Sequence, residues 1–168
     1  MLLFSPRWLF LIPGLTLALA SLAAFLMLLA GPVRLGGVTF DVNTLILASA
    51  GVVAGVQTVL LGMLAKAAAV QLGIAPPTKL LTRLQGLRTI ELGIVSGGVM
   101  LVFGLTYALV AIARWREAGF GELAPAASVR IVVPAVTVAA IGIQLAFTGF
   151  ALAILEFGRE LRLKRAQP

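Results

Sequence analysis

Four apolar stretches, each long enough to cross a bilayer, fill most of this chain: roughly residues 8–30, 45–64, 90–113 and 131–155. A hydrocarbon core about 30 Å thick is crossed by about 20 helical residues rising about 1.5 Å each, and every stretch reaches that length. In lipid, backbone N–H and C=O groups must bond within the protein, which leaves helices or a closed barrel. Barrel strands alternate apolar and polar positions, whereas these stretches are continuously apolar, so helices are expected. Residues 1–168 then read as one all-α domain of four transmembrane helices, with no room for a folded aqueous domain.

Composition agrees. The chain is 61% hydrophobic and 11% charged, which no ordinary soluble domain is. It lacks cysteine and histidine, removing disulfides, thiolate nucleophiles, haem and most zinc sites. Asp41 is the only aspartate; the other acids are Glu91, Glu117, Glu122, Glu156 and Glu160. None of these is spaced to make a paired-carboxylate metal site, and no cofactor is expected in this chain. None lies deep within an apolar stretch, which argues against proton-coupled transport.

The net charge of +7 does not point to nucleic acid, because the basic residues flank the spans instead of forming one face. With a cytoplasmic N-terminus, Arg7, Lys66, Lys79, Arg83, Arg88, Arg159, Arg162, Lys164 and Arg165 fall inside. Arg34, Arg114, Arg116 and Arg130 fall outside. That imbalance favours an N-in, C-in orientation, with the inner cluster attracted to anionic lipid. The first stretch is too long for a signal peptide and lacks a small-x-small cleavage site, so it reads as an anchor.

The connections are short. Gly31–Thr44 is glycine-rich and turns the chain back, with Asn43 or Thr44 as expected N-cap of the second helix. Arg114–Val129 turns it again, with Ser128 as expected cap. Between them, Lys66–Thr89 carries Pro76-Pro77 and then KLLTRLQGLRT, in which Leu80, Leu84 and Leu87 share one helical stripe. This fits a short amphipathic helix in the cytoplasmic interface, with Lys79, Arg83 and Arg88 as candidate contacts to a lipid phosphate. It fits equally the lead-in turn of the third span.

A weak repeat links the even-numbered spans. Gly55-Val56-Gln57 followed by Gly62 matches Gly142-Ile143-Gln144 followed by Gly149 in spacing. Either the chain is two parallel hairpins related by an axis along the membrane normal, or apolar sequences have aligned by chance. Gln57 and Gln144 are the strongly polar side chains deep in the spans. They are candidate intramembrane polar contacts, to a lipid head group or a carried solute. The favoured reading is structural: a buried amide bonding a neighbouring helix that the nearby glycines let approach. Gly93 and Gly97 offer a further packing face. Pro134 is expected to kink the fourth span, and Pro13-Gly14 to disturb the start of the first. Trp8, Tyr107, Trp115 and Phe120 read as interfacial belt residues. Arg88 with Glu91, and Glu156 with Arg159 and Glu160, read as interfacial charges.

Several segments resemble a known family. SPRWLFLIPG at Ser5–Gly14, GGVTFDVNTL at Gly36–Leu45, GVQTVLLGMLAK at Gly55–Lys66, and GFGELAP followed by VRIVVPAVTVAAIGIQ are similar to the C-terminal membrane domain of bacterial family-2 glycosyltransferases. The likeness is to dolichol-phosphate mannose or glucose synthases, and it runs in order along essentially the whole chain. Such enzymes transfer a sugar from a nucleotide to a polyprenyl phosphate. Their catalytic domain is N-terminal, and an Asp-x-Asp motif in it holds a divalent metal; a chain with one aspartate lacks that motif, so no catalytic residue carries over. The resemblance implies a membrane-anchoring and oligomerisation domain in the bacterial inner membrane. It would begin where the catalytic domain has ended, as a fragment, a split gene product or an independent protein. Implied partners are the bilayer, polyprenyl phosphate, a catalytic domain in trans and further copies of itself. The alternative is a small carrier or flippase for lipid-linked sugars, built on the repeated hairpins and their glutamines.

Overall fold

The computed structural model describes residues 7–76, 87–117 and 125–165. Four helices dominate: α1 (Ile12–Ala30), α2 (Val42–Gln71), α3 (Leu87–Glu117) and α4 (Pro125–Arg165). Each is long and apolar enough to cross a membrane. α2, α3 and α4 outrun the apolar stretches read from sequence, and α4 has 41 residues. At about 1.5 Å per residue that is roughly 60 Å, about twice the hydrocarbon thickness. Hydropathy marks only the part suited to lipid; the backbone ladder continues through polar positions such as Lys66, Arg114 and Arg116.

The helix ends correct the expected caps. α2 starts at Val42, with the N-cap at Asp41, not Asn43 or Thr44. The Asp41 carbonyl accepts the first helical bond, from the Leu45 N–H at 3.0 Å. α4 starts at Pro125, so Ser128 lies inside its first turn; proline suits a first helical position because its missing N–H would be unbonded there anyway. α2 stops in a Schellman turn: Ile74 N–H donates to Ala69 O (2.9 Å) and Gly73 N–H to Val70 O (3.1 Å). Gly73 takes the left-handed conformation this needs (φ 72°), and Pro76 follows shortly after, as is common beyond a helix end. A π-helical turn, Arg7–Leu11, leads into α1, and Pro13 and Gly14 lie in the regular first turn of α1. α4 runs as continuous helix through Pro134.

The all-α expectation misses one element. Between α1 and α2, β1 (Val33–Leu35) and β2 (Val38–Phe40) pair antiparallel, with Val33 opposite Phe40, Arg34 opposite Thr39 and Leu35 opposite Val38. Gly36 and Gly37 both have positive φ (55° and 83°), the backbone of a two-residue type I′ turn.

α1 packs along α2, α3 along α4, and α2 against α4. The order across the molecule is therefore α1, α2, α4, α3. Burial follows it: 33% of the apolar window of α2 is buried, against 11% for the flanking α1 and α3. At the ribbon end, Phe25, Leu28, Leu45, Ala48 and Val52 form a core on which Val33, Phe40 and Val133 pack. At the other end Ala67, Ile90 and Leu152 form a second. Much of the rest, including Leu47, Met27, Phe147 and Phe103, is exposed and apolar, as suits contact with lipid.

Lipid is as apolar as leucine, so helix association in it relies on close backbone approach and polar bonds. Glycines supply the first. A Cβ on Gly14 would lie 3.1 Å from Gly55 O and 3.0 Å from Val59 N. A Cβ on Gly97 would lie 2.6 Å from Gly142 O and 2.6 Å from Ala146 N. Gly55 meets Ala18 in turn, and Gly142 meets Leu101. These contacts correspond between the α1–α2 and α3–α4 pairs, with the same four-residue step along each helix: Gly14 and Ala18 match Gly97 and Leu101, and Gly55 and Val59 match Gly142 and Ala146. Other hydroxyls bond their own helix: Thr58 to Ala54 O (2.8 Å), Thr106 to Val102 O (2.8 Å) and Ser96 to Gly93 O (3.2 Å).

Candidate functional site

Polar contacts gather along the line where α2 meets α4. At the ribbon end the Arg130 guanidinium donates to the Asp41 carboxylate at 2.6 Å. One step in, the Ser49 and Thr137 hydroxyls are 2.6 Å apart, and Thr137 also donates to Val133 O at 2.7 Å. A hydroxyl has one proton, so Ser49 is the donor to Thr137. Further along, the Gln144 amide donates to Val53 O at 3.4 Å. Near the far end, Gln71 donates to the carbonyl of Leu155. The two inner helices are thus tied at four levels.

The seam also holds unbonded polar atoms. Arg130 Nε and Gln144 Oε1 are buried without a hydrogen-bond partner. The Gln144 amide therefore uses one end on the backbone of α2 and leaves the other unmatched. Gln57 is exposed, on the same stripe of α2 as Val53 and one turn on. The two glutamines occupy matching sequence positions in different surroundings.

Lys79 and Arg83, with the interfacial helix proposed for them, lie outside the described residues. Arg88 falls in the first turn of α3, so that end of the segment belongs to the third helix. Phe120 also lies outside. Tyr107 stacks on Phe103, ring centroids 6.5 Å apart, and Trp115 is 43% exposed at the end of α3. Glu156, read from sequence as an interfacial charge at the inner end of the fourth span, is 7% exposed and lies two residues before the end of the candidate span Ala126–Gly158.

Acidic groups do not gather. Among the described residues no three of His, Cys, Asp and Glu stand close enough to hold a metal ion. Asp41 is engaged by Arg130 at one end of α2 and α4, and Glu156 is near the other.

Sequence reasoning misses the tie between Asp41 and Arg130, which look like loop charges in the bare chain. It also misses Ser49 with Thr137, and Gln71. A signal exists: Arg130, Thr137 and Gln144 recur at heptad spacing in an otherwise apolar stretch, which keeps them on one helix face.

The glycosyltransferase family 2 C-terminal transmembrane region matches the chain over residues 63–156, from within α2 through α3 to Glu156 of α4. The chain belongs to this family. Among curated proteins and solved structures, nothing matches it. As a family-2 transmembrane region with four helices able to cross a bilayer, it is a multi-pass membrane protein. The match takes in four of the seam's side chains: Gln71, Arg130, Thr137 and Gln144.

Proposed function

We propose that this family-2 transmembrane region anchors a glycosyltransferase catalytic domain at the membrane and assembles with further copies of itself, serving sugar transfer to a polyprenyl phosphate. The observation that carries this reading is the seam between α2 and α4. Its polar groups are engaged in holding helices together: Arg130 on Asp41, Ser49 on Thr137, Gln144 on Val53 O. Polar groups used as interhelical bonds suit a platform, and the family match supports a glycosyltransferase as the enzyme it serves.

In this reading the helices form two parallel hairpins, N-in and C-in, in the bacterial inner membrane. The excess of basic residues on the segments assigned to the cytoplasm supports the orientation. By charge alone, Lys79, Arg83 and Arg88 then attract the acceptor's phosphate, each worth about 1 kcal/mol near an anionic surface. The divalent metal of the reaction belongs to the catalytic domain. To test the reading, a soluble family-2 catalytic domain is co-expressed with and without this chain and its membrane-bound fraction measured. A rise with the chain is expected; unchanged partitioning would refute anchoring.

The carrier reading keeps one support, the matching contacts of Gly14 with Gly55 and Gly97 with Gly142 in the two helix pairs. It requires Gln57 and Gln144 to act on a solute. If the double leucine variant assembles and still moves lipid-linked sugar, the glutamines are not a transport site.

A further inference from the structure

The ribbon between α1 and α2 is two-faced. Residues opposite one another in an antiparallel pair share a face, and successive residues alternate. Val33, Phe40, Leu35 and Val38 therefore share one face, and Arg34 and Thr39 the other. At the root, Val33 and Phe40 pack on the core of Phe25, Leu28 and Leu45. At the tip, Leu35 is 64% exposed and Val38 is 56% exposed. The apolar face thus continues, largely exposed, past the residues of the protein core.

Its position limits what can lie there. The spanning windows end at Ala30 and restart at Val42, so the ribbon hangs from the two points where chain leaves and re-enters lipid. Only two residues separate Ala30 from Val33, and only Asp41 separates Phe40 from α2. The apolar face is continuous with the core, while Arg34 is exposed on the other face.

We propose that the ribbon is a membrane-surface finger: Leu35 and Val38 seat in the boundary between head groups and acyl chains of the bilayer the helices cross, with Arg34 at the level of the lipid phosphates. Apolar side chains on a short amphipathic element favour that boundary, and a guanidinium beside it pairs with phosphate oxygens. The Gly36-Gly37 turn suits this place, because two glycines let the strands reverse in two residues and keep the tip slender. The finger fixes the depth of the α1 and α2 ends without crossing the membrane. It depends on ribbon geometry alone, so it stands or falls separately from the anchoring role.

The absence of cysteine makes the test direct. Leu35→Cys, Val38→Cys and Thr39→Cys in the full chain are labelled with an environment-sensitive fluorophore. Each is reconstituted into phosphatidylcholine–phosphatidylglycerol vesicles at low protein-to-lipid ratio. The labels at 35 and 38 are expected to emit blue-shifted light, to resist aqueous iodide several-fold better than the label at 39, and to be quenched by lipids spin-labelled near the head group. Two positions on the apolar face guard against a local effect of either substitution. Equal iodide quenching at 35, 38 and 39 would overturn the proposal. So would shielding that spin-labelled lipid does not quench and that grows with protein density, which would assign the face to a second copy of the chain.

Discussion

Gly97 of α3 and Gly142 of α4 face each other backbone to backbone: a Cβ on Gly97 would lie 2.6 Å from Gly142 O, and one on Gly142 would lie 2.7 Å from Gly97 O. Neither neighbour can swing away, because both are main-chain atoms of packed helices. Gly97→Ala and Gly142→Ala should each force α3 from α4 and destabilise by about 1–3 kcal/mol, the usual scale of overpacking. At Gly93 and Gly98 an added Cβ would meet nothing within 4 Å, so alanine there serves as a control. Thermal unfolding in detergent should show clear losses at 97 and 142, and none at 93 or 98.

The Arg130–Asp41 pair makes an asymmetric prediction. Arg130 is the more buried partner, with 24% side-chain exposure against 40% for Asp41. Losing the aspartate strands a partly buried guanidinium, whereas losing the arginine leaves a carboxylate that water reaches. Asp41→Ala should therefore cost more than Arg130→Met. With Asp41 this exposed, the pair itself is worth only up to about 1 kcal/mol. Urea unfolding of reconstituted variants, ranked against each other, checks the order.

Replacing Gln144 should be mild. Its bond to Val53 O is long at 3.4 Å, and its Oε1 is buried without a partner. Gln144→Met removes one weak bond and one unmatched carbonyl together, so stability should stay within about 1 kcal/mol of the parent. Ser49→Ala removes the donor to Thr137 and should cost about 1 kcal/mol. A double-mutant cycle of Ser49→Ala with Thr137→Val, followed by the same unfolding measurement, should show coupling, since the two hydroxyls touch.

The four spans are legible because membrane helices write themselves as long apolar runs. Their ends are not, since a helix continues beyond the residues that suit lipid: Val42 and Pro125 begin helices whose caps the sequence places at Asn43 or Thr44 and at Ser128. The ribbon is written in sequence too, as Gly36-Gly37 between VRL and VTF, but its strands are only three residues each. The seam is half visible. Gln144 stands out as a lone amide in an apolar stretch, whereas Asp41 and Arg130 resemble ordinary loop charges until the fold sets α2 beside α4. The repeat is faint as letters, G-x-Q, and firmer as contacts, because what repeats is where backbone meets backbone.

The anchoring role is tested most directly by glycosyl transfer with the catalytic domain supplied in trans. The rate is measured toward polyprenyl phosphate embedded in vesicles and toward a short, water-soluble phosphate acceptor, each with and without this chain in the vesicles. Faster transfer to the embedded acceptor is expected when the chain is present, with an unchanged rate toward the soluble one. Equal rates toward the embedded acceptor with and without the chain would contradict that role.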